Sequence, residues 1–383
     1  MTTALGARPS CRYAPTTMDA NELRSGVSRA RRVVAKIGSR ALAQDPDAAQ
    51  RLAAEVAQCR HDKRAFVIVS SGAIALGCQR LGYRARPTEM ARLQAAAAAG
   101  QSVLMHRYEA ALGANGLTAA QVLLTHADLA DRERLNNARQ ALAALLEAGA
   151  VPVINENDTV STEEIRFGDN DQLAAMVAPL VGADLLVLLT DVDGVLDAAG
   201  ERISVVTGEL ELAQRDPDPE QIGVGGMRSK IDAARKGCRS GASVVIASAM
   251  RPGVLAEVLA GNDVGTLFPV VAPALRARKH WIAYTLKPRG TVILDAGAVR
   301  ALQTGSTSVL PVGVVGVRGQ FNPGDSVRLV GPDGVEVGRG LTRMGTVDVA
   351  RVAGQRNADL AEARGAGADD VIVVHKDDLV LGG

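Results

Sequence analysis

Two lysines stand where the chain could hold a phosphate. Lys36 lies near the end of the apolar run Val33-Val34-Ala35-Lys36-Ile37, directly before Gly38 and Ser39, and Lys230 closes the run Gly223-Val224-Gly225-Gly226-Met227-Arg228-Ser229-Lys230. Glycines let backbone amides turn towards a ligand, and a helix opening at such a run adds its N-terminal amides, so a polyphosphate fits there. Val69-Ser70-Ser71-Gly72-Ala73 offers another place for close backbone approach to an anion. Each has a plainer alternative: a strand lysine can lay its stem along apolar surface, a glycine run can be a hinge, and Ser-Ser-Gly-Ala can be an ordinary strand-to-helix turn. Asn155-Glu156-Asn157-Asp158 and Gly168-Asp169-Asn170-Asp171 add amides and carboxylates at high density. Carboxylates accept from an ammonium while amides donate to a carboxylate, which is what a zwitterion requires. A solvated loop with Asp169 or Asn170 capping the next helix is the competing reading. Together the lysines, the glycine run, the amide-rich segments and Thr190-Asp191 point to phosphoryl transfer onto a small amino acid.

Other machinery is absent from the sequence. No Gly-Lys dipeptide occurs, which rules out the loop GxxxxGK[ST], and no GxGxxG follows the first apolar run. HExxH and GxSxG are also missing.

The elements that must position these residues alternate. Strand-like Val33–Ile37 precedes a helical Asp47–Arg60, strand Phe66–Val69 and an Ala-rich helix from Thr88 to Leu112. There follow strand Ala119–Leu124, helix Arg132–Ala148, strand Val151–Ile154, helix Asp171–Val181, strand Leu185–Leu189, an amphipathic segment and strand Val244–Ala247. Continuous apolar strands between helices predict an α/β domain, over 32–275, whose mainly parallel sheet is sandwiched by helices, with ligands at the carboxyl ends of its strands. Residues 1–31 lack periodicity and large apolar side chains and read as a mobile extension, with Met18 as a possible alternative start. From Trp281 to Gly383, short β runs broken by Asn322-Pro323-Gly324-Asp325 and Gly331-Pro332-Asp333-Gly334 predict a small, mainly β domain with little helix beyond Gly297–Leu302.

Composition narrows the class. Hydrophobic residues make up 47% and charged residues 22%, and 43 Lys plus Arg against 42 Asp plus Glu leave a net charge of +1. No global field draws in nucleic acid or an anionic membrane, so any anion must be caught locally. Cys11, Cys59, Cys78 and Cys238 are scattered without ligand spacing, which argues against structural zinc and for a reducing compartment. No apolar run approaches the roughly 18 residues of a membrane span, so a cytoplasmic location is expected.

The chain resembles the glutamate 5-kinases, a branch of the amino acid kinase family. The likeness rests on VVAKIGS, VIVSSGAIALG, QVLLT, VPVINENDTVSTEEIRFGDNDQL, LLVLLTDVDG and GGMRSK, with LDAGAVRAL, GQFNPGDSVRL and VVHKDDL in a C-terminal segment similar to PUA domains. It covers residues 32–383. It implies ATP-dependent phosphorylation of the γ-carboxylate of L-glutamate, as the first step of proline biosynthesis. Inhibition by proline and a homo-oligomer, dimer or tetramer, are implied as well, with γ-glutamyl phosphate reductase as a further partner. Lys36, Lys230 and Asp171 would be catalytic, the aspartate organising the lysines. Ser71, Gly72, Ala73, Asn155, Asp158, Asp169 and Asn170 would grip glutamate. Lys36, Gly38, Ser39, Thr190, Asp191, Val224, Gly225, Gly226, Met227, Arg228, Ser229 and Lys230 would hold ATP. Mg²⁺ would sit mainly on nucleotide and water, with no protein metal site. Departures fall at Val224, where the family has Thr, at Arg228, where it has a small residue, and at Val195-Leu196 in place of Leu-Tyr. The PUA-like segment balances its charges and holds the single Trp281, which favours an accessory role over RNA binding. Competing readings are a relative acting on aspartate or N-acetylglutamate, and an RNA-binding regulator with a decayed kinase site.

Overall fold

The computed structural model describes residues 19–45, 47–60, 64–160, 170–208, 226–270, 275, 277–304, 307–356, 359–360 and 371–382. Two compact units meet in sequence at Ala274 and Leu275.

The larger unit is built on seven strands: β1 (Arg32–Ile37), β2 (Ala65–Ser70), β3 (Ala119–Leu124), β4 (Val151–Glu156), β5 (Leu185–Thr190), β6 (Ser243–Ser248) and β7 (Thr266–Phe268). They lie in the order β3-β4-β2-β1-β5-β6-β7. All neighbours are parallel except β6 and β7. Ten helices accompany them among the described residues: α1 (Ala20–Val27), α2 (Ser39–Gln44), α3 (Ala48–Cys59), α4 (Ala73–Arg80), α5 (Met90–Gly113), α6 (His126–Ala130), α7 (Arg132–Glu147), α8 (Asn170–Val181), α9 (Met227–Arg239) and α10 (Val254–Leu259).

The strands are apolar throughout because both faces are covered. Val33, Ala35 and Ile37 of β1 join a core with Leu52 and Val56 of α3 and Leu104, Tyr108 and Leu112 of α5. Val34 points to the other core, with Leu142 of α7, Leu173 and Val177 of α8 and Ile231 of α9. Two-residue alternation therefore puts Lys36 on the face of α8 and α9, between its register partners Val69 and Leu188.

The alanine run Ala95–Ala99 has a packing reason. A Cβ on Gly77 of α4 would lie 1.7 Å from the Ala96 carbonyl oxygen, and one on Gly100 of α5 would lie 1.8 Å from that of Ala73. The two helices touch backbone to backbone, which only glycine and alanine allow. This seam fixes the start of α4, where Ser71 and Gly72 lie, against the middle of α5.

Two expectations need correction. Residues 20–27, read as part of a mobile extension, form α1, and its Arg24 is 3% exposed. The Arg24 guanidinium donates to the carbonyls of Ser204, Asn262, Val264 and Gly265 and pairs with Asp263 at 2.8 Å. Beside that fork, α1 gives the core only Leu23 and Val27, too short an apolar stripe to stand out in the sequence. The region after Trp281 also has more helix than its turn signals suggested.

That smaller unit comprises α11 (Ala277–Tyr284), β8 (Gly290–Leu294), α12 (Ala296–Thr304), β9 (Val314–Gly319), β10 (Ser326–Val330), β11 (Glu336–Thr342), α13 (Thr346–Val352) and β12 (Val374–Leu381). Its sheet runs β12-β11-β10-β8-β9, antiparallel except for β8 beside β10. Val292, Leu294, Val327, Leu329 and Val349 share its core.

Candidate active site

Parallel strands bring their carboxyl ends to one edge, and the sequence-predicted residues collect there. Lys36 is the penultimate residue of β1, Ser71 and Gly72 follow β2, Asn155 lies near the end of β4, and Thr190 ends β5. The first turn of α8 supplies Asn170 and Asp171, and α9 brings Lys230 one turn in from Gly226.

Asp171 is completely buried and ties the two lysines together. Its Oδ1 lies 2.5 Å from Lys36 Nζ and its Oδ2 lies 3.1 Å from Lys230 Nζ. Burial opposes the charge on Asp171, but the ammonium groups of Lys36 and Lys230 outweigh it and hold the carboxyl below its ordinary range. The triad keeps one net positive charge at the strand ends. Next to it, a Cβ on Gly38 would lie 3.8 Å from Lys36 Nζ, so the missing side chain leaves room for a ligand over the ammonium.

One residue earlier on α8, Asn170 organises a second cluster. The two hydrogens of its Nδ2 are shared among three acceptors, the Ser70 carbonyl at 2.6 Å, Ser71 Oγ at 2.9 Å and Asn155 Oδ1 at 2.8 Å. Asn155 Nδ2 in turn donates to Gln101 Oε1 of α5 at 2.8 Å. Each donation fixes which way the next amide faces, so the chain from Gln101 to Asn170 has one orientation. Behind it, Ser70 Oγ and the buried Tyr108 hydroxyl lie 2.9 Å apart.

Gly72 caps α4 with φ +102°, a left-handed conformation that glycine adopts freely. Ala73 is the first helical residue and is buried. Gly38 and Ser39 open α2, and the Thr190 hydroxyl donates to Asp191 Oδ1 at 2.9 Å. Burial opposes the Asp191 charge, yet the Thr190 bond and Arg40, 3.5 Å away, keep its carboxyl low. At α9, Gly226 is the cap, Met227 and the exposed Arg228 start the helix, and Ser229 accepts from Gln172 Nε2 at its carbonyl, 3.1 Å, and its hydroxyl, 3.3 Å.

Not every expected residue joins these hydrogen-bonded clusters. Asp158 is half-buried after β4, and no described hydrogen bond links it to Asn155 or Asn170. Burial pushes its carboxyl up to about 6, with Arg86 pulling the other way. Asp169, Val224 and Gly225 lie outside the described residues. Three contributors escaped the reading of the residues one by one: Gln101, Arg40 and Gln172, whose Oε1 also meets Lys236 Nζ. Gln101 stands in an alanine-rich helix far from any motif, and only the seam between α4 and α5 reveals its place.

The arrangement combines a cationic end and an amide end joined by adjacent residues of α8. The first suits phosphates, and the second suits a compact polar acceptor.

The sequence matches the amino acid kinase family over residues 31–248 and the PUA domain over residues 290–363. Similar proteins include the glutamate 5-kinase of Trichlorobacter lovleyi, 44% identical over 93% of this chain and 98% of its own. The glutamate 5-kinase of Bordetella petrii is 45% identical over 93% and 98%, and that of Pseudomonas putida W619 is 45% identical over 94% and 100%. Given a matching domain over more than half its length and relatives of this similarity along almost all of it, the chain belongs to the amino acid kinase family and, within it, to the glutamate 5-kinases.

Proposed function

We propose that this enzyme transfers the γ-phosphoryl group of ATP to the γ-carboxylate of L-glutamate. The observation that carries the reading is the buried Lys36–Asp171–Lys230 triad set one residue away from the Asn170–Asn155–Gln101 amide chain. The names of the relatives support glutamate as acceptor, and membership of a kinase family supports ATP as donor.

The acceptor carboxylate is already ionised at neutral pH, so no general base is required. A carboxylate oxygen attacks the γ-phosphorus, the bond to the β–γ bridging oxygen breaks in line, and ADP leaves with that oxygen's electrons. The obstacle is repulsion between anions. One ammonium about 4 Å from a phosphate charge gains roughly 4 kcal/mol at an effective dielectric near 20. Lys36 and Lys230 are assigned to the β and γ phosphates, and Asp171 keeps them in place without reorganisation during transfer. Asn155, Asn170, Ser71 and the turn at Gly72 position glutamate, and Asp158 receives its ammonium. Thr190, Asp191 and the start of α9 face the nucleotide.

Mg²⁺ is expected to travel with the nucleotide. Both Asp171 oxygens are committed to ammonium groups, and no set of three His, Cys, Asp or Glu side chains converges among the described residues. The described residues therefore do not form a dedicated cage, and no step is assigned to the ion. A cytoplasmic enzyme opening proline biosynthesis, inhibited by proline, assembled as a homo-oligomer and feeding a γ-glutamyl phosphate reductase is the setting we infer from the family. Among the described residues, no helix is long and apolar enough to cross a membrane.

The test is a hydroxylamine trap. Protein with ATP and Mg²⁺ should give hydroxamate with L-glutamate and not with L-aspartate or N-acetyl-L-glutamate. Hydroxamate from another acceptor, or none from folded protein, would refute the assignment.

A further inference from the structure

The smaller unit carries an arginine cleft that the kinase reaction does not use. Across three adjacent strands, Arg318 of β9 and Arg328 of β10 both stand opposite Thr291 of β8, one on each side. Directly paired residues share a face of the sheet, and strands are about 4.8 Å apart, so two cations flank one hydroxyl at roughly 10 Å from each other. Arg289 lies two residues before Thr291, on the same parity, and completes the group. All three arginines are exposed, whereas Thr291 is 8% exposed and lies at the floor. Together they line a cavity of about 410 Å³.

The floor is shaped by glycine. Gly290 and Gly319 are register partners, and a Cβ on Gly319 (φ +85°) would lie 2.8 Å from the Arg289 carbonyl oxygen. One on Gly290 would lie 2.4 Å from the Phe321 ring. A Cβ at either place would press on strand backbone or on the buried Phe321 ring, on the face away from Thr291, so glycine keeps β8 and β9 close together behind the cleft.

Its charge is unbalanced. Among the described residues, the guanidinium groups of Arg289, Arg318 and Arg328 have no ion-pair or hydrogen-bond partner. The next arginine in the row is different: Arg339, opposite Arg328, pairs with Glu336 at 2.7 Å. The nearby Asp333 carboxylate accepts from the Val335 amide instead. Like charges repel, and among the described residues nothing neutralises these three. Guanidinium forks match the oxygens of a phosphate in pairs, and a hydroxyl at the floor can donate to another.

We infer that this cleft binds the phosphate group of a small molecule. Its volume lies within the roughly 300–1,000 Å³ of small-ligand clefts, and the absence of aromatic side chains from its lining gives a nucleic-acid chain no base platform.

Isothermal titration of the full chain with inorganic pyrophosphate tests the assignment. Parent protein should bind with an affinity that falls about tenfold or more in Arg318→Ala and in Arg328→Ala, corresponding to one lost charge-assisted contact each. Arg318→Lys should recover only part of it, because charge returns without the fork. Lys230→Ala should retain this binding, separating it from the kinase site, and Arg318→Ala should turn over like the parent. Circular dichroism confirms folding; exposed arginines without partners can be removed without opening the core. Pyrophosphate binding that is absent, unchanged in both alanine variants, or abolished by Lys230→Ala would overturn the proposal. So would arginine-dependent binding of a single-stranded RNA oligonucleotide without binding of pyrophosphate.

Discussion

Replacing Asp171 by Asn keeps the shape of the side chain and removes the one anion between two buried ammonium groups. At contacts of 2.5 and 3.1 Å and an effective dielectric of about 20, the two attractions amount to roughly 7 and 5 kcal/mol. Much of this offsets the hydration the three groups gave up, so the intact triad contributes little net stability. Removing the carboxylate alone leaves two uncompensated cations, which costs about 3–5 kcal/mol. For a unit of this size, a loss of about 3 kcal/mol lowers Tm by roughly 6–12 °C, measurable by calorimetry. Turnover in the hydroxamate assay should fall by about a thousandfold, equivalent to about 4 kcal/mol, because lysines that repel each other no longer point at one phosphate. A second variant separates charge from packing. Lys36→Met, Asp171→Asn and Lys230→Met combined remove all three charges, so this variant should melt closer to the parent than Asp171→Asn while remaining inactive. The pH response has a definite sign. Asp171 is held below its ordinary range, so its contribution is complete above about pH 4 and disappears as pH falls through the folded-state value. An Asp171→Asn protein that melts within a degree or two of the parent and turns over normally would refute the reasoning.

Further outcomes follow from the site. Gly38 has φ −80° and ordinary space around its missing Cβ, so Gly38→Ala should leave Tm almost unchanged while weakening ATP binding. Gly72→Ala at φ +102° should instead cost stability, about 1 kcal/mol or more, by the same calorimetry. Gln101→Leu removes the acceptor that orients Asn155, and steady-state kinetics should show KM for glutamate rising about tenfold with little change for ATP. Asp158, pushed up to about 6, must be charged to receive an ammonium, so KM for glutamate should climb as pH drops below that value. Asp158→Asn should flatten the profile. For stability the direction reverses: between the ordinary carboxylate range and 6 the folded chain keeps a proton that the unfolded chain gives up, so raising pH through that window weakens folding.

The sheet was legible because its strands are apolar on both faces, a pattern that survives without partners. Lys36 and Asn155 were legible because polar residues at the ends of such strands have few other places to go, and Asn170 because it opens the next helix inside a dense polar motif. Gln101 was not: it reaches the site only because Gly77 and Gly100 let two helices touch, a relation between positions rather than a property of one. Arg24 escaped for a similar reason, since most of its partners are backbone carbonyls between 204 and 265, which carry no sequence signal. Arg318 and Arg328 became a cluster only through the register of β9, β8 and β10.

In the proposed reaction, consecutive residues of α8 serve the two substrates, Asn170 on the acceptor side and Asp171 on the phosphate side. Whatever holds that first helical turn still for one ligand has already met part of the ordering entropy of the other. Binding of ATP and of glutamate should therefore be positively cooperative within a single chain, and linkage makes the enhancement the same factor in either order. A bisubstrate enzyme built this way gains ground-state communication from nothing more than the peptide bond between two neighbours.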